Sequence, residues 1–470
     1  MNVADSELVE ALLKREGYKP APKLEDADAI FVNTCAIREH AEEKVHSQLG
    51  RYRKIKQRKR DVIIGVLGCM AQSLKHDLLE NKPYVDIILG PDSYRKLPKI
   101  LNRSQRDHSS QVDTTLSRFE VYDDLFPSRQ EGINAWISIM RGCDKFCTFC
   151  IVPFTRGRER SRSVEGILAE VSQAVADGFV EVTLLGQNVN SYGRDLTTHL
   201  RTATPELADV QKVGSEWAND ERRRARPLFA DLLAAIGAVE GIQRVRFTSP
   251  HPKDLRTETI SAMANTPTVC EHLHLPLQSG SDRVLAEMHR GYTADRYLRR
   301  VAEAKAGITD LAVTTDVIVG FPGESERDFT DTLEVAAEAG FDSAYTFIYS
   351  PRPGTEAAER QEEFVDHAVS VERFERLREV LIRSAALTHR NRVGKVEEVL
   401  VEGPAKRGNR LVTARTRQNK LVHLPARDGL RTGTYALARI TDAATHYLYG
   451  EVIEVTAPPR HRRRIPVTVG

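Results

Sequence analysis

Hydrophobic residues recur along this chain in two rhythms. Leu8, Val9, Leu12 and Leu13 fall at helical spacing within residues 6–16, whereas 30–32, 62–67 and 85–89 are short continuous apolar runs of the kind that form parallel strands buried on both faces. This alternation predicts an α/β domain with a parallel sheet over residues 1–125. The sequence opens directly in a helix, with no strand ahead of it, and the polar, weakly periodic stretch 102–129 reads as a linker.

The alternation then repeats. Strand-like runs at 135–140, 182–185, 245–248, 272–277, 314–319 and 344–349 are separated by helical segments such as 164–177, 228–239, 282–289, 294–306 and 326–338. Six βα units imply a parallel sheet curling into a partial (βα)6 barrel over residues 130–388, with reactive groups on the loops after the strands. Residues 197–226 are polar and aperiodic, which predicts a surface insertion. A long helix over 364–388 leads out of the barrel. Short β-type runs at 398–402, 411–414, 421–424, 435–440 and 448–455, broken by Gly and Pro, predict a small all-β module over 391–456, followed by a basic tail over 457–470.

Composition narrows the class. A chain of 470 residues with 41% hydrophobic residues can build several cores, and no apolar run is long enough to span a membrane. The N-terminus is acidic and amphipathic rather than signal-like, so the cytoplasm is the expected compartment. The net charge of +2 hides two basic runs, 51–60 and 460–464, which are either solvated faces or contacts for a polyanion.

Chemistry concentrates in the cysteines. Three of the six lie within eight residues, Cys143, Cys147 and Cys150, just after the run 135–140. Thiols this close hold an iron–sulfur cluster or a zinc ion, and three ligands alone leave one corner open. Cys35 and Cys69 each follow a predicted N-terminal strand, where open α/β sheets place ligands; they either converge on one site or are unrelated buried thiols. Cys270, ahead of a core strand, reads as a buried thiol. His272 and His274 alternate along one strand and either face a site or serve the structure. Arg156, Arg158, Arg160 and Arg162 either meet RNA phosphate or a cofactor carboxylate, or are solvated. No Ser/His/Asp triad or Walker-type phosphate loop is present, which argues against hydrolase and nucleoside-triphosphatase activities.

The tripod at the head of a βα series resembles the radical S-adenosylmethionine (SAM) superfamily. That resemblance implies a [4Fe-4S] cluster on Cys143, Cys147 and Cys150, an open fourth iron chelated by SAM, and electron transfer that cleaves the sulfonium to a 5′-deoxyadenosyl radical. Phe146 and Phe149 would shield the cluster. Gly186, Gln187 and Asn188 after the second barrel strand, and Gly320 and Glu324 after the fifth, look like the superfamily's cofactor-binding turns.

A narrower resemblance spans nearly the whole chain. Asn33-Thr34-Cys35-Ala36-Ile37-Arg38-Glu39, Gly68-Cys69-Met70-Ala71-Gln72, Cys150-Ile151-Val152-Pro153-Phe154-Thr155-Arg156-Gly157, His274-Leu275-Pro276-Leu277-Gln278-Ser279-Gly280-Ser281 and Ser350-Pro351-Arg352-Pro353-Gly354-Thr355 are similar to the methylthiotransferases. The version at 36–39, with Glu43-Lys44-Val45, is most similar to the branch that converts N6-isopentenyladenosine, next to the anticodon of tRNA, to its 2-methylthio form. The β module resembles the TRAM domain, an RNA-binding barrel, with Arg415-Thr416-Arg417-Gln418-Asn419-Lys420 at its signature.

The resemblance implies a second [4Fe-4S] cluster on three N-terminal cysteines, two of them Cys35 and Cys69. The family's first such cysteine lies in a Gly-Cys-Gln-Met-Asn stretch that ends its first strand, and this sequence begins at what corresponds to the Met-Asn. Either the start is misassigned or truncated at an internal methionine, which is the expectation, or the protein lacks that cysteine; the sequence as it stands would hold the second cluster weakly. The implied partners are the tRNA anticodon stem-loop, an electron donor such as a flavodoxin or ferredoxin, and a sulfur donor, acting on a monomer away from membranes. Rival readings are a sibling enzyme acting on threonylcarbamoyladenosine in tRNA or on a ribosomal-protein aspartate, and a non-catalytic RNA-binding iron–sulfur protein.

Overall fold

A computed structural model describes residues 1–34, 39–129, 132–202, 213, 225–406 and 410–460. The chain forms two compact units. The first joins Met1–Arg129, Ser138–Ser163 and Ser350–Glu359; the second joins Gln130–Ile137, Val164–Tyr349 and Arg360–Gly470.

In the first unit, strands β1 (Ala29–Thr34), β2 (Ile63–Gly68), β3 (Ile87–Leu89) and β4 (Gln111–Asp113) form a parallel sheet in sequence order. β2 is buried at every position, as its unbroken apolar run requires. Gly65 on β2 lets the Phe31 ring of β1 lie over it, since a Cβ there would sit 2.5 Å from that ring. Separate clusters fill the core, one containing Ile64, Val66, Met70 and Ile88, the other Ile63, Leu67, Ile87 and Leu101. Leu8, Val9 and Leu12 of the opening helix, Asn2–Arg15, belong to the second cluster. β4 lies inside the stretch that sequence alone reads as linker; its three half-buried residues carry too little apolar signal to announce a strand. A two-stranded ribbon, β6 (Met140–Arg141) paired with β7 (Arg160–Ser161), brackets the cysteine tripod. The apolar run 135–140 is therefore not one strand: β5 (Asn134–Ser138) ends and β6 begins across Ile139.

The second unit carries the barrel strands. β5, β8 (Glu181–Leu185) and β9 (Arg244–Phe247) form one sheet, in which β8 and β9 run parallel; β10 (His272–His274), β11 (Ala312–Val319) and β12 (Ser343–Ile348) form another, all parallel. A single bridge from Val245 to Val269 connects β9 to the approach to β10. Helices alternate with the strands as expected, with one more, Thr257–Asn265, in the 248–272 interval. The predicted aperiodic insertion opens in a helix, Arg194–Thr202; 203–212 and 214–224 lie outside the described residues. The long exit helix, His367–Arg390, is capped by the Asp366 side chain.

Strands β13 (Val396–Pro404), β14 (Leu411–Thr416), β15 (Leu421–Pro425), β16 (Tyr435–Ala443) and β17 (Leu448–Ala457) close into a five-stranded barrel around Val399, Val401, Ala414, Val422, Leu424 and Ile440. It docks on the (βα) strands of the same unit through charge. Arg244, fully buried, places its guanidinium 2.9 Å from Glu398, 2.8 Å from the Arg415 carbonyl and 5.2 Å from the Tyr435 ring centre. Arg417 meets Glu271 at 2.7 Å, Lys420 meets Asp342 at 2.6 Å, and Gln418 donates to Asp310 at 3.0 Å. Arg417 and Lys420 of the β-module signature are thus engaged within the protein.

Candidate iron–sulfur and cofactor site

The tripod loop is built by close backbone approaches. Gly142 has φ +76° and a Cβ there would lie 2.0 Å from the Arg158 carbonyl, so only glycine lets the outgoing segment cross here. Cys143 N–H donates to the Gly157 carbonyl at 3.1 Å, and Cys150 N–H to the Cys147 carbonyl at 2.9 Å. Ala357 N–H donates to the Thr148 carbonyl at 2.9 Å, which gives the Ser350–Thr355 segment its role: it leads into the short helix that pins the tripod loop.

Cys143 and Cys147 are buried and Cys150 is half-buried. Burial pushes the Cys143 thiol up to about 12, and the neighbouring charges of Glu159, Cys150 and Cys147 add to it against a backbone donor from Lys145. Among the described residues no three His, Cys, Asp or Glu side chains converge as ligands of a single ion. The donor set of soft sulfurs on one glycine-hinged loop fits [4Fe-4S]. Phe146, between two of the cysteines, has backbone φ +48° and an exposed ring, with Arg158 5.6 Å from the ring centre.

Cys69 begins the helix Cys69–Asn81 directly after β2 and is buried against Ile151, the residue that follows the tripod. Arg156 Nε donates to Cys69 Sγ at 3.1 Å, and Arg156 Nη2 to Asp5 at 2.6 Å; Asp5 also accepts from Arg141 at 2.5 Å. All three charged groups are buried. Burial alone would raise the Asp5 carboxyl, but Arg156 and Arg141 outweigh it and hold the carboxyl below its ordinary range. Tyr94 hydroxyl and Arg156 Nη1, both buried, have no hydrogen-bond partner here. Cys35 lies outside the described residues.

Three of the four arginines after the tripod answer to neither expectation. Arg156, Arg160 and Arg162 are buried and bound to Asp5, Asp92 and Asp123; only Arg158 is exposed, and it pairs with Asp144 at 2.6 Å. Arg156, Arg160 and Arg162 thus make their ion pairs within the first unit. Asp5 was missed by sequence reasoning, although a signal existed. It shares the helix face of Leu8, Val9 and Leu12, and a carboxylate on an apolar face calls for a buried cation.

In the second unit the turn after β8 places Gly186 and Asn188 in the interior and Gln187 at its edge. Asn188 Nδ2 donates to Asp254 at 2.9 Å, while Gln187 Oε1 is buried with no partner, an acceptor suited to the amino group of SAM. After β11, Gly320 takes φ +71° and its N–H donates to Glu324 Oε1 at 3.1 Å. Glu324 is buried against Arg373 at 2.9 Å, so its carboxylate closes the turn. Burial raises the Glu324 carboxyl, opposed by the Gly320 N–H and Arg373. Ser325 and Asp328 form a capping box that fixes the helix Glu326–Ala339 behind this turn. Cys270 is a buried thiol, raised by desolvation, as expected.

Three family models match. The radical SAM superfamily covers residues 137–336, the uncharacterized protein family UPF0004 residues 1–90, and the TRAM domain residues 390–453. Solved structures agree on the fold: TsrM, a radical SAM methyltransferase from Kitasatospora setae, superposes with a TM-score of 0.50 at 11% identity over 76% of this chain and 72% of its own. Tripod and fold together define a radical SAM enzyme with an appended TRAM barrel. Sequence relatives narrow this. The tRNA-2-methylthio-N(6)-dimethylallyladenosine synthase of Caldicellulosiruptor saccharolyticus is 44% identical over 96% of this chain and 90% of its own length, and that of Porphyromonas gingivalis strain W83 is 42% identical over 97% and 93%. The chain belongs to the tRNA-2-methylthio-N(6)-dimethylallyladenosine synthase family.

Proposed function

We propose that this protein adds a methylthio group to C2 of N6-isopentenyladenosine at position 37, beside the tRNA anticodon, with SAM as both methyl donor and radical source. The observation that carries the reading is 44% identity along 96% of the chain, tripod and β module included. Cys143, Cys147 and Cys150 hold one [4Fe-4S] cluster; Cys69, with Cys35, belongs to a second. Bound at the tripod, the cluster supplies the electron that reduces SAM. Gly186, Gln187 and Asn188 receive the cofactor's amino end, with Gln187 Oε1 as the acceptor, and the Gly320–Glu324 turn lies along its adenosyl end. The fixed turns orient SAM and keep water from it.

A flavodoxin or ferredoxin supplies electrons, a separate donor supplies sulfur, and the protein works as a cytoplasmic monomer on the tRNA anticodon stem-loop. No helix among the described residues is long and apolar enough to cross a membrane. The domain division is 1–125, 130–388 and 391–456, with 457–470 as a basic tail.

The test is anaerobic reconstitution with iron and sulfide, followed by incubation with SAM, dithionite and a prenylated anticodon stem-loop. Mass spectrometry of the nucleosides should show the 2-methylthio product together with 5′-deoxyadenosine. Without 5′-deoxyadenosine, the radical reading fails. If 5′-deoxyadenosine forms while only a threonylcarbamoyladenosine substrate is thiolated, the choice of substrate fails.

A further inference from the structure

The (βα) strands carry a polar and aromatic wall that neither the cluster ligands nor the cofactor turns use. Along β11 alternate residues Thr314, Asp316 and Ile318 are half-buried, while Thr315 on the other face meets Tyr297 of the preceding helix, Ala294–Gly307. Parallel register puts Thr314 beside His274 on β10, and Asp316 and Ile318 beside Tyr345 and Phe347 on β12. One open face therefore carries His272, His274, Thr314, Asp316, Ile318, Tyr345 and Phe347.

Hydrogen bonds give this face a direction. His272 Nε2 lies 3.0 Å from Thr314 Oγ1, His274 Nδ1 lies 3.1 Å from the same oxygen, and His274 Nε2 lies 3.4 Å from Asp316. Burial keeps His272 neutral. A hydroxyl has one proton, so the consistent chain is His272 Nε2–H to Thr314, Thr314 O–H to His274 Nδ1, and His274 Nε2–H towards Asp316. The chain of donors ends at the Asp316 carboxylate, whose side chain is 27% exposed. Beside it the Tyr345 ring, 60% exposed, stands edge-on to His274 with centroids 6.4 Å apart. An exposed aromatic next to an oriented acceptor is the arrangement that receives a nucleobase: the ring stacks and the carboxylate takes an exocyclic N–H.

We infer that this wall is the seat of the substrate adenine, resting on the function proposed above. Tyr345 stacks on the base, Asp316 accepts the single N6–H that an N6-alkyl adenine retains, and Ile318 and Phe347 line the place of the dimethylallyl group. An adenine reaches this protein from two sources, tRNA and SAM, and the wall is assigned to the tRNA base.

Fluorescence anisotropy of the full chain with a labelled, prenylated anticodon stem-loop tests this, with SAM binding measured in parallel by calorimetry. Tyr345→Ala and Asp316→Asn should each weaken RNA binding at least about fivefold and leave SAM affinity and melting temperature unchanged; Tyr345→Phe should retain binding. RNA affinities within about twofold of the parent overturn the assignment, as does a loss that falls on SAM instead. If the parent chain itself shows no preference for prenylated RNA, the substrate proposal fails and the wall's assignment falls with it.

Discussion

Arg156 Nε lies 3.1 Å from Cys69 Sγ while its Nη2 lies 2.6 Å from Asp5. One guanidinium thus ties a cysteine at the end of β2 to a carboxylate on the opening helix. Asp5 in turn holds Arg141, at the threshold of the tripod. A buried carboxylate between two buried guanidinium groups is stabilising only while all three charges persist.

Removing the carboxylate should therefore be costly. Asp5→Asn leaves two buried cations facing each other and should lower unfolding free energy by about 3–5 kcal/mol in urea titration at neutral pH. An Asp5→Asn variant within about 1 kcal/mol of the parent would show that solvent reaches the network.

The same carboxyl sets an acid limit. Its folded pKa lies below the unfolded value, so its contribution is present above about pH 4 and is lost as pH falls through the depressed folded value. Urea midpoints measured downward from pH 5 should fall more steeply for the parent than for Asp5→Asn.

At the tripod, Cys143→Ala, Cys147→Ala and Cys150→Ala should each abolish 5′-deoxyadenosine formation and sharply reduce bound iron after reconstitution, whereas Cys270→Ala should leave iron content at the parent level. Equal iron in the tripod variants would move the cluster elsewhere.

The turn after β11 depends on one glycine. Gly320→Ala meets φ +71° and places its Cβ 2.3 Å from Ser370 Oγ. The backbone cost alone is about 1–2 kcal/mol, seen as a lower melting temperature and weaker SAM binding. Adding Ser370→Ala should relieve the clash with Oγ but not the backbone share.

The β barrel's docking is equally exposed to test. Lys420→Met leaves Asp342 unpaired in a buried site, and Arg417→Ala strips Glu271 of its partner. Proteolysis across 391–396 should accelerate in the double variant; unchanged cleavage would mean that apolar contact alone seats the barrel.

Much of this was legible in the sequence, because strands buried on both faces write continuous apolar runs and thiol spacing is local. β2 and β11 sit within a residue or two of their predicted limits, and Cys143, Cys147 and Cys150 share the single loop their spacing implied. What escaped was pairing across distance. Nothing local reveals that Arg156 answers Asp5, or that Arg417 and Lys420 face inward to Glu271 and Asp342 rather than outward to RNA. A basic residue looks the same in sequence whether its counterion is phosphate or a carboxylate some 150 residues away. β4 escaped for the opposite reason, being too short and too polar to carry a rhythm.

The docking of the β barrel also bears on heredity. Arg417, Gln418 and Lys420 find Glu271, Asp310 and Asp342 on separate segments of the chain. Substitution within the Arg417–Glu271 or Lys420–Asp342 pair strands a charge on the other side, and loss of Asp310 takes the acceptor from Gln418, so the two sets should drift together among descendants. A barrel transplanted from a distant cousin would arrive with the wrong keys unless its three acidic counterparts travelled with it.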